Sequence, residues 1–140
     1  MTFLPDVNVW LALFSQVHIH APVCAGWFNS VGPAEVEFCR VTQMGLLRLL
    51  TNSTVMGTQA LTPRGAWRAY QRMLGDERVQ FAHEPSALER EWQQITMTDR
   101  PAHKFWTDAY LVAFARASDM RLVTLDRGLR STAPDALFLQ

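Results

Sequence analysis

Residues 1–14 read MTFLPDVNVWLALF, and how this stretch divides decides the fold. Phe3–Leu4–Pro5 is a short apolar run with strand character, and it stops at Asp6. Val7 to Phe14 is apolar and free of breakers, so a helix is expected to follow at once. A strand, an acid and an immediate helix are the opening of an alternating α/β chain. The stretch Leu122–Leu125, followed by Asp126, Arg127 and Gly128, repeats the strand–acid pattern near the other end of the chain.

Between these ends the alternation continues. His20 to Asn29 gives a helix with Ala21, Cys24, Ala25 and Phe28 at helical spacing. Gly32-Pro33 breaks the chain, Val36–Phe38 reads as a strand, and Arg40–Leu50 as a helix with Val41, Met44, Leu47 and Leu50 as its apolar stripe. Thr51-Asn52-Ser53 ends that helix, and Val55 to Thr62 reads as loop. Pro63 suits a first helical turn, after which Trp67, Tyr70 and Leu74 line a helix that stops at Gly75-Asp76. Val79–Phe81 is a strand. Ser86 with Glu89 three residues later predicts a capping box for the next helix. Asp99-Arg100-Pro101 is a turn, His103 to Ala117 a helix, and Ala136–Leu139 a final edge strand. Strands alternating with helices predict a mostly parallel sheet with helices on both faces, formed by one domain over residues 1–140. In such sheets ligands sit outside the carboxyl ends of the strands.

Composition narrows the function classes. Lys+Arg and Asp+Glu balance at 13 each, so any attraction for nucleic acid must come from local patches. The two cysteines, Cys24 and Cys39, are too few for a disulfide framework; they fit a reducing cytosol and read as small packed hydrophobes. The N-terminus lacks the basic-then-apolar order of a signal peptide, and no apolar run reaches membrane-spanning length, so a cytoplasmic protein is expected.

Three aspartates fall where the sheet rule wants chemistry. Asp6 and Asp126 each end a strand, and parallel strands put both at one edge. Each also has an ordinary reading, Asp6 as a helix N-cap and Asp126 as a turn residue. Asp108 lies near a helix start and shares a stripe with Leu111, Val112 and Ala115. A carboxylate facing a core must be paired, metal-bound or neutral. Favourable interaction with the helix N-terminus explains a first-turn acid but not its inward direction. Three converging carboxylates form an oxygen-rich site of the kind that suits Mg²⁺ or Mn²⁺.

The strings LPDVNVWLAL, His18 and His20, Trp27, FCRVTQMGLLRLLTN, FWTDAYLVAFA and LVTLDRGL, in that order over nearly the whole chain, resemble the PIN-domain VapC family. The resemblance implies a Rossmann-like three-layer α/β/α sandwich. It also implies an Mg²⁺- or Mn²⁺-dependent endoribonuclease that is the toxin of a VapBC toxin–antitoxin system, a homodimer neutralised by a VapB antitoxin. Carried over by position, Asp6 with Asn8, Asp108 and Asp126 match the family's acidic site, and Thr124 matches a hydroxyl residue that organises it. The family's remaining acid, a Glu on the helix after the second strand, is matched here by Gln43. Glutamine can accept a hydrogen bond but brings no negative charge.

Around these, Arg40 and Arg127 are weak candidates for phosphate contacts, and Arg48, Lys104 and Arg130 read more simply as solvated surface. Trp10 and Trp106 lie close in sequence to the acids and are candidate base-stacking groups, against the default of core packing. His18 and His20 read as helix-start or surface residues rather than a metal pair. Two other enzyme classes resemble the Asp6-x-Asn8 pattern weakly. Haloacid-dehalogenase-type phosphatases want a second acid at Asn8. Response-regulator receivers want a lysine ending the last strand, and the one lysine, Lys104, opens a helix. A catalytically weak PIN-like module that binds RNA or antitoxin is the remaining alternative, because of Gln43.

Overall fold

The computed structural model describes all 140 residues. Five strands, β1 (Thr2–Pro5), β2 (Val36–Phe38), β3 (Val79–Phe81), β4 (Met120–Thr124) and β5 (Leu137–Phe138), form one sheet in the order β3-β2-β1-β4-β5. Every pairing is parallel. Seven α-helices connect them: α1 (Val7–Phe14), α2 (Ala21–Phe28), α3 (Arg40–Leu50), α4 (Ser53–Met56), α5 (Pro63–Leu74), α6 (Leu88–Thr96) and α7 (Trp106–Ala117).

Alternation along the strands makes the sandwich. Val36 and Phe38 of β2 turn to one face with Trp10 of α1, Leu46 and Leu50 of α3 and Tyr70 of α5. Val123 of β4 joins that side, packed with Val9, Ala12 and Cys24. Leu4 and Leu122, one residue out of phase, turn to the opposite face and meet Tyr110 to Ala115 of α7 and Leu88 of α6. Both faces being covered is what a parallel sheet requires. The three-layer α/β/α reading therefore holds. So do the boundaries of α1, β2, α3 and β3.

Elsewhere the sequence expectations differ from the structure. Helix α3 does not bury a Val41–Met44–Leu47 stripe; its buried residues are Thr42, Gln43, Leu46 and Leu50, and Met44 is half exposed. Its polar first turn is drawn inward by local bonding: the Cys39 N–H donates to Thr42 Oγ1 at 2.9 Å, and that hydroxyl donates to the Cys39 carbonyl at 3.0 Å. Residues 53–59 are helical rather than loop, because Asn52 caps the turn by accepting the Thr54 N–H. Helix α6 begins after Ala87 without the predicted capping box. Helix α7 starts three residues late, at Trp106.

Helices α1 and α3 cross very closely. At Gly45 an added Cβ would stand 2.6 Å from Val7 Cγ2, so glycine is what allows the contact. Val7 is the residue after Asp6, which ties this crossing to the carboxyl edge of the sheet.

Candidate metal centre

The chain leaves β1 toward β2 and returns later to β4 on the other side. The strand order thus reverses between β1 and β4, and at such a switch point a crevice opens outside the carboxyl ends. Asp6 ends β1 and Asp126 lies just beyond β4, so both stand at that place. The Asp6 N–H donates to the Val123 carbonyl at 2.9 Å, which locks the two strand ends together.

Asp6 holds two positions at once. Its Oδ1 accepts the Val9 N–H at 3.0 Å and caps α1. Its Oδ2 accepts the Thr124 hydroxyl at 2.6 Å. Thr124 is fully buried, and its hydroxyl oxygen in turn accepts the Asp126 N–H at 2.9 Å. One hydroxyl therefore bridges the two acidic positions. The Asp126 carboxylate accepts the Gly128 N–H at 2.9 Å and caps a short 3₁₀ turn, Arg127–Leu129. Both ordinary readings, cap and turn, are present; they fix the carboxylates without using all their lone pairs.

The three aspartates are near enough for their charges to act on one another. Burial raises the pKa of Asp6 above the ordinary value; the bonds from Thr124 and Val9 oppose this, and the charges of Asp108 and Asp126 add to it. Asp108, in the first turn of α7, is also raised, by burial first and by Asp126 second. The Asp6 charge reaches behind the site as well: the buried Cys24 thiol is pushed up to about 11, by burial and then by Asp6. Nothing in the sequence marked Cys24 as a neighbour of Asp6. Burial is the main burden on Asp6 and Asp108, and the neighbouring carboxylate charges add to it. As they stand, the three side chains do not close into a three-ligand cluster. Their all-oxygen, like-charged donor set still fits a hard divalent cation, which would offset the repulsion.

The other candidates separate. Asn8 is exposed and makes no side-chain hydrogen bond; it lines a groove with Val7, Gly45, Arg48, Leu49 and Asn52. Gln43 lies on α3, and its Oε1 accepts Arg40 Nη1 at 2.5 Å. Arg127 is exposed beside Asp126. Trp10 does not reach the site: it is fully buried and stacks on Phe38 with ring centroids 3.7 Å apart. Trp106 stays half exposed at the start of α7, its carbonyl taken by the Trp92 indole N–H at 3.1 Å. His18 Nδ1 accepts the His20 N–H in the loop before α2, with no third ligand near.

Thr124 offers a direct test of the bridge. Thr124→Val keeps the volume but leaves the Asp126 N–H without its partner and removes a donor from Asp6. Loss of one hydrogen bond to a charged group predicts about a tenfold fall in whatever reaction the site supports, and a lower unfolding midpoint. An unchanged midpoint and rate would mean that the bridge does not organise the acids.

Comparison with known proteins gives this geometry its relatives. The PIN domain family matches residues 3–134. The chain is 44% identical over 128 residues to Ribonuclease VapC41 of Mycobacterium tuberculosis, covering 88% of each. It is 33% identical to Ribonuclease VapC29 of the same organism, over 99% of this chain and 96% of that one. Among solved structures, Mycobacterium tuberculosis VapC20, a sarcin-ricin loop cleaving toxin, superimposes with a TM-score of 0.70 at 18% identity, over 99% of this chain and all of that one. VapBC2 from Rickettsia felis, bound to a DNA fragment from its promoter, gives 0.69 at 9% identity over the full length of both. At those identities the structural likeness speaks for the fold.

Proposed function

The chain belongs to the PIN-domain family, in its VapC branch, and on that premise we propose that it is a metal-dependent endoribonuclease, the toxin of a VapBC toxin–antitoxin pair. The observation that carries this reading is the bridge Asp126 N–H to Thr124 to Asp6, made across the β1–β4 switch point with Asp108 charged nearby. The relatives' common description as ribonucleases supports the substrate class.

Asp6, Asp108 and Asp126 are the residues that would hold one or two Mg²⁺ or Mn²⁺ ions. When bound, such ions lower the pKa of water for attack on a phosphodiester and offset the charge that develops there. The chain's own part is positioning. Thr124 fixes the Oδ2 of Asp6, the Val9 N–H fixes its Oδ1, and the Gly128 N–H orients Asp126, so the acids are set before RNA arrives. Arg127, exposed beside Asp126, is the proposed contact for a phosphate. The family resemblance points to breakage of the P–O3′ bond, which leaves 5′-phosphate and 3′-hydroxyl ends.

A VapB-type antitoxin and a second copy of this chain are the proposed protein partners. Supporting a protein partner, Val17 and Ile19 are almost fully exposed between α1 and α2, and Val17 borders a cavity whose apolar lining, Leu11, Leu49, Val55 and Met56, is interrupted by the polar Asn8, Ser15 and His18. No helix is long and apolar enough to cross a membrane; a cytoplasmic location is our proposal, supported by the two buried free cysteines, which suit a reducing compartment.

The test is cleavage of total cellular RNA by purified protein with Mg²⁺, Mn²⁺ or EDTA. Discrete cuts bearing 5′-phosphates, present with metal and absent with EDTA, are expected. Ends bearing 2′,3′-cyclic phosphate would contradict attack by water. No cutting with either metal would favour a module that binds RNA or antitoxin without hydrolysis, which the neutral Gln43 would suit.

A further inference from the structure

Arg40 opens α3 directly after β2, the strand next to Asp6's own, and adjacent strands lie about 5 Å apart. Its side chain is exposed, yet it is held from two sides. Gln43 Oε1 accepts its Nη1 at 2.5 Å, and its guanidinium carbon stands 4.8 Å from the centre of the Phe81 ring, at the end of β3. Neither partner carries charge. The chain's one ion pair is Arg78 with Asp76, so the positive charge of Arg40 is not neutralised by any carboxylate. Gln43 is itself only 7% exposed and lies against Tyr70 as well as Arg40. A buried amide whose oxygen is spent on an arginine is a strut for that arginine. A glutamate at this place would hold the arginine as firmly and cancel its charge.

We propose that Gln43 is a positioning residue that holds the uncancelled Arg40 guanidinium against Phe81, making a phosphate-binding subsite for the RNA strand on the β2–β3 side of the acidic centre. This rests on the ribonuclease reading for its ligand. It also gives the neutral residue a use: the RNA crosses from the acidic centre at β1–β4 to a fixed positive group at β2–β3. A chain with balanced total charge gains local attraction for a phosphate other than the one being cut. Arginine suits the place because its planar fork can keep one N–H on Gln43 and offer others to phosphate oxygens.

Binding of a short fluorescent oligouridylate, followed by anisotropy in EDTA at several salt concentrations, tests the subsite without metal or turnover. Wild type should bind at low salt. Arg40→Ala should bind roughly tenfold more weakly, and its slope of log affinity against log salt should flatten by about 0.7, the value for one single-strand phosphate contact. Gln43→Glu should act in the same direction, and adding it to Arg40→Ala should do nothing more. Under turnover, Arg40→Ala should raise KM with kcat unchanged. If Gln43→Glu fails to fold, Gln43→Met removes the strut at similar volume and should weaken binding while leaving the salt slope near wild type. If Gln43 were instead a lost metal position, Gln43→Glu would tighten Mn²⁺ binding and leave oligouridylate affinity alone, and that result overturns the proposal. So would wild-type binding that Arg40→Ala leaves unchanged, or no wild-type binding at low salt. RNA cleavage with an indifferent Arg40 sinks the subsite alone. Arg40-dependent binding without any metal-dependent cleavage sinks the ribonuclease reading and leaves the subsite standing.

Discussion

Asp6→Asn is expected to abolish RNA cleavage and, in the same protein, to raise the unfolding midpoint at neutral pH. The first half follows from charge. An asparagine there would offer one acceptor oxygen and no negative charge to a divalent ion, and loss of such preorganised electrostatics costs about a thousandfold in rate. The second half follows from the burden the native residue carries. The folded-state pKa of Asp6 is raised, by burial first and by Asp108 and Asp126 in addition, so folding disfavours its ionised form. The stability tied to this group is fully present below about pH 4, where the unfolded carboxyl is protonated too, and is lost as pH rises through the raised folded value. Asparagine removes that loss and keeps the architecture. It caps helices as well as aspartate does, and the Thr124 hydroxyl can accept the new amide, while its own proton loses the carboxylate it donated to, which offsets part of the gain. In EDTA the variant should melt above wild type at pH 7. The gap should close toward pH 4. Asp76 runs the other way, held down to about 2 by Arg78, but it is common to both proteins and cancels in the difference. A variant that melts below wild type at pH 7, with no trend in pH, would show that Asp6 sits comfortably ionised without a cation.

Gly45→Ala should destabilise the fold even though alanine is the better helix former. An alanine inside a helix gains about 1 kcal/mol over glycine. Here its methyl would fall 2.6 Å from Val7 Cγ2 and 3.2 Å from Cγ1. A β-branched side chain at a helix start has little freedom to turn aside. Helices α1 and α3 must separate, and overpacking of this sort costs up to about 3 kcal/mol. A net loss of about 2 kcal/mol, or roughly 7 °C in midpoint, is expected. The movement also displaces the first turn of α1, and with it the Asp6 carboxylate, so cleavage should fall more than the folded fraction does. Val7→Ala combined with Gly45→Ala should recover most of the midpoint. A single variant as stable as wild type would refute the tight crossing.

How far the sequence foretold these features depended on whether their cause was local. Strand, acid and helix at residues 3–14 follow from apolar period and the absence of breakers, and the boundaries of α1 and α3 were legible for that reason. Asp6 and Asp126 could be placed at one sheet edge because parallel strands share an orientation, whereas Thr124 was marked only by the family resemblance. Trp10 follows the default of core packing: it stands four residues after Asp6, yet its ring turns inward to Phe38. Packing against β2 and α5 decides that direction, and distance along the chain does not register it. The buried face of α3 was misjudged because its first turn is settled by Cys39 bonding Thr42, which hydropathy does not register either. Gln43 could be seen as a missing acid, but its use could not. That depended on Phe81, which lies far along the chain and meets Arg40 only because β3 pairs with β2.

The pairing of β1 with β4 has a consequence in time. Thr2 to Pro5 lie in register with Met120 to Val123, and the bond from Thr124 to Asp6 spans 118 residues. The first acid of the centre is made 118 residues before the hydroxyl that fixes it. Contacts so distant along the chain form late, after the loop between them has closed. Chains are made from the N-terminus, so a nascent polypeptide with its last strands still inside the ribosome has Asp6 but no Thr124 and no Asp126. A growing chain whose β4 has not yet emerged therefore holds the first acid without the residue that fixes it, and the acidic centre can assemble only after that strand is free to pair with β1.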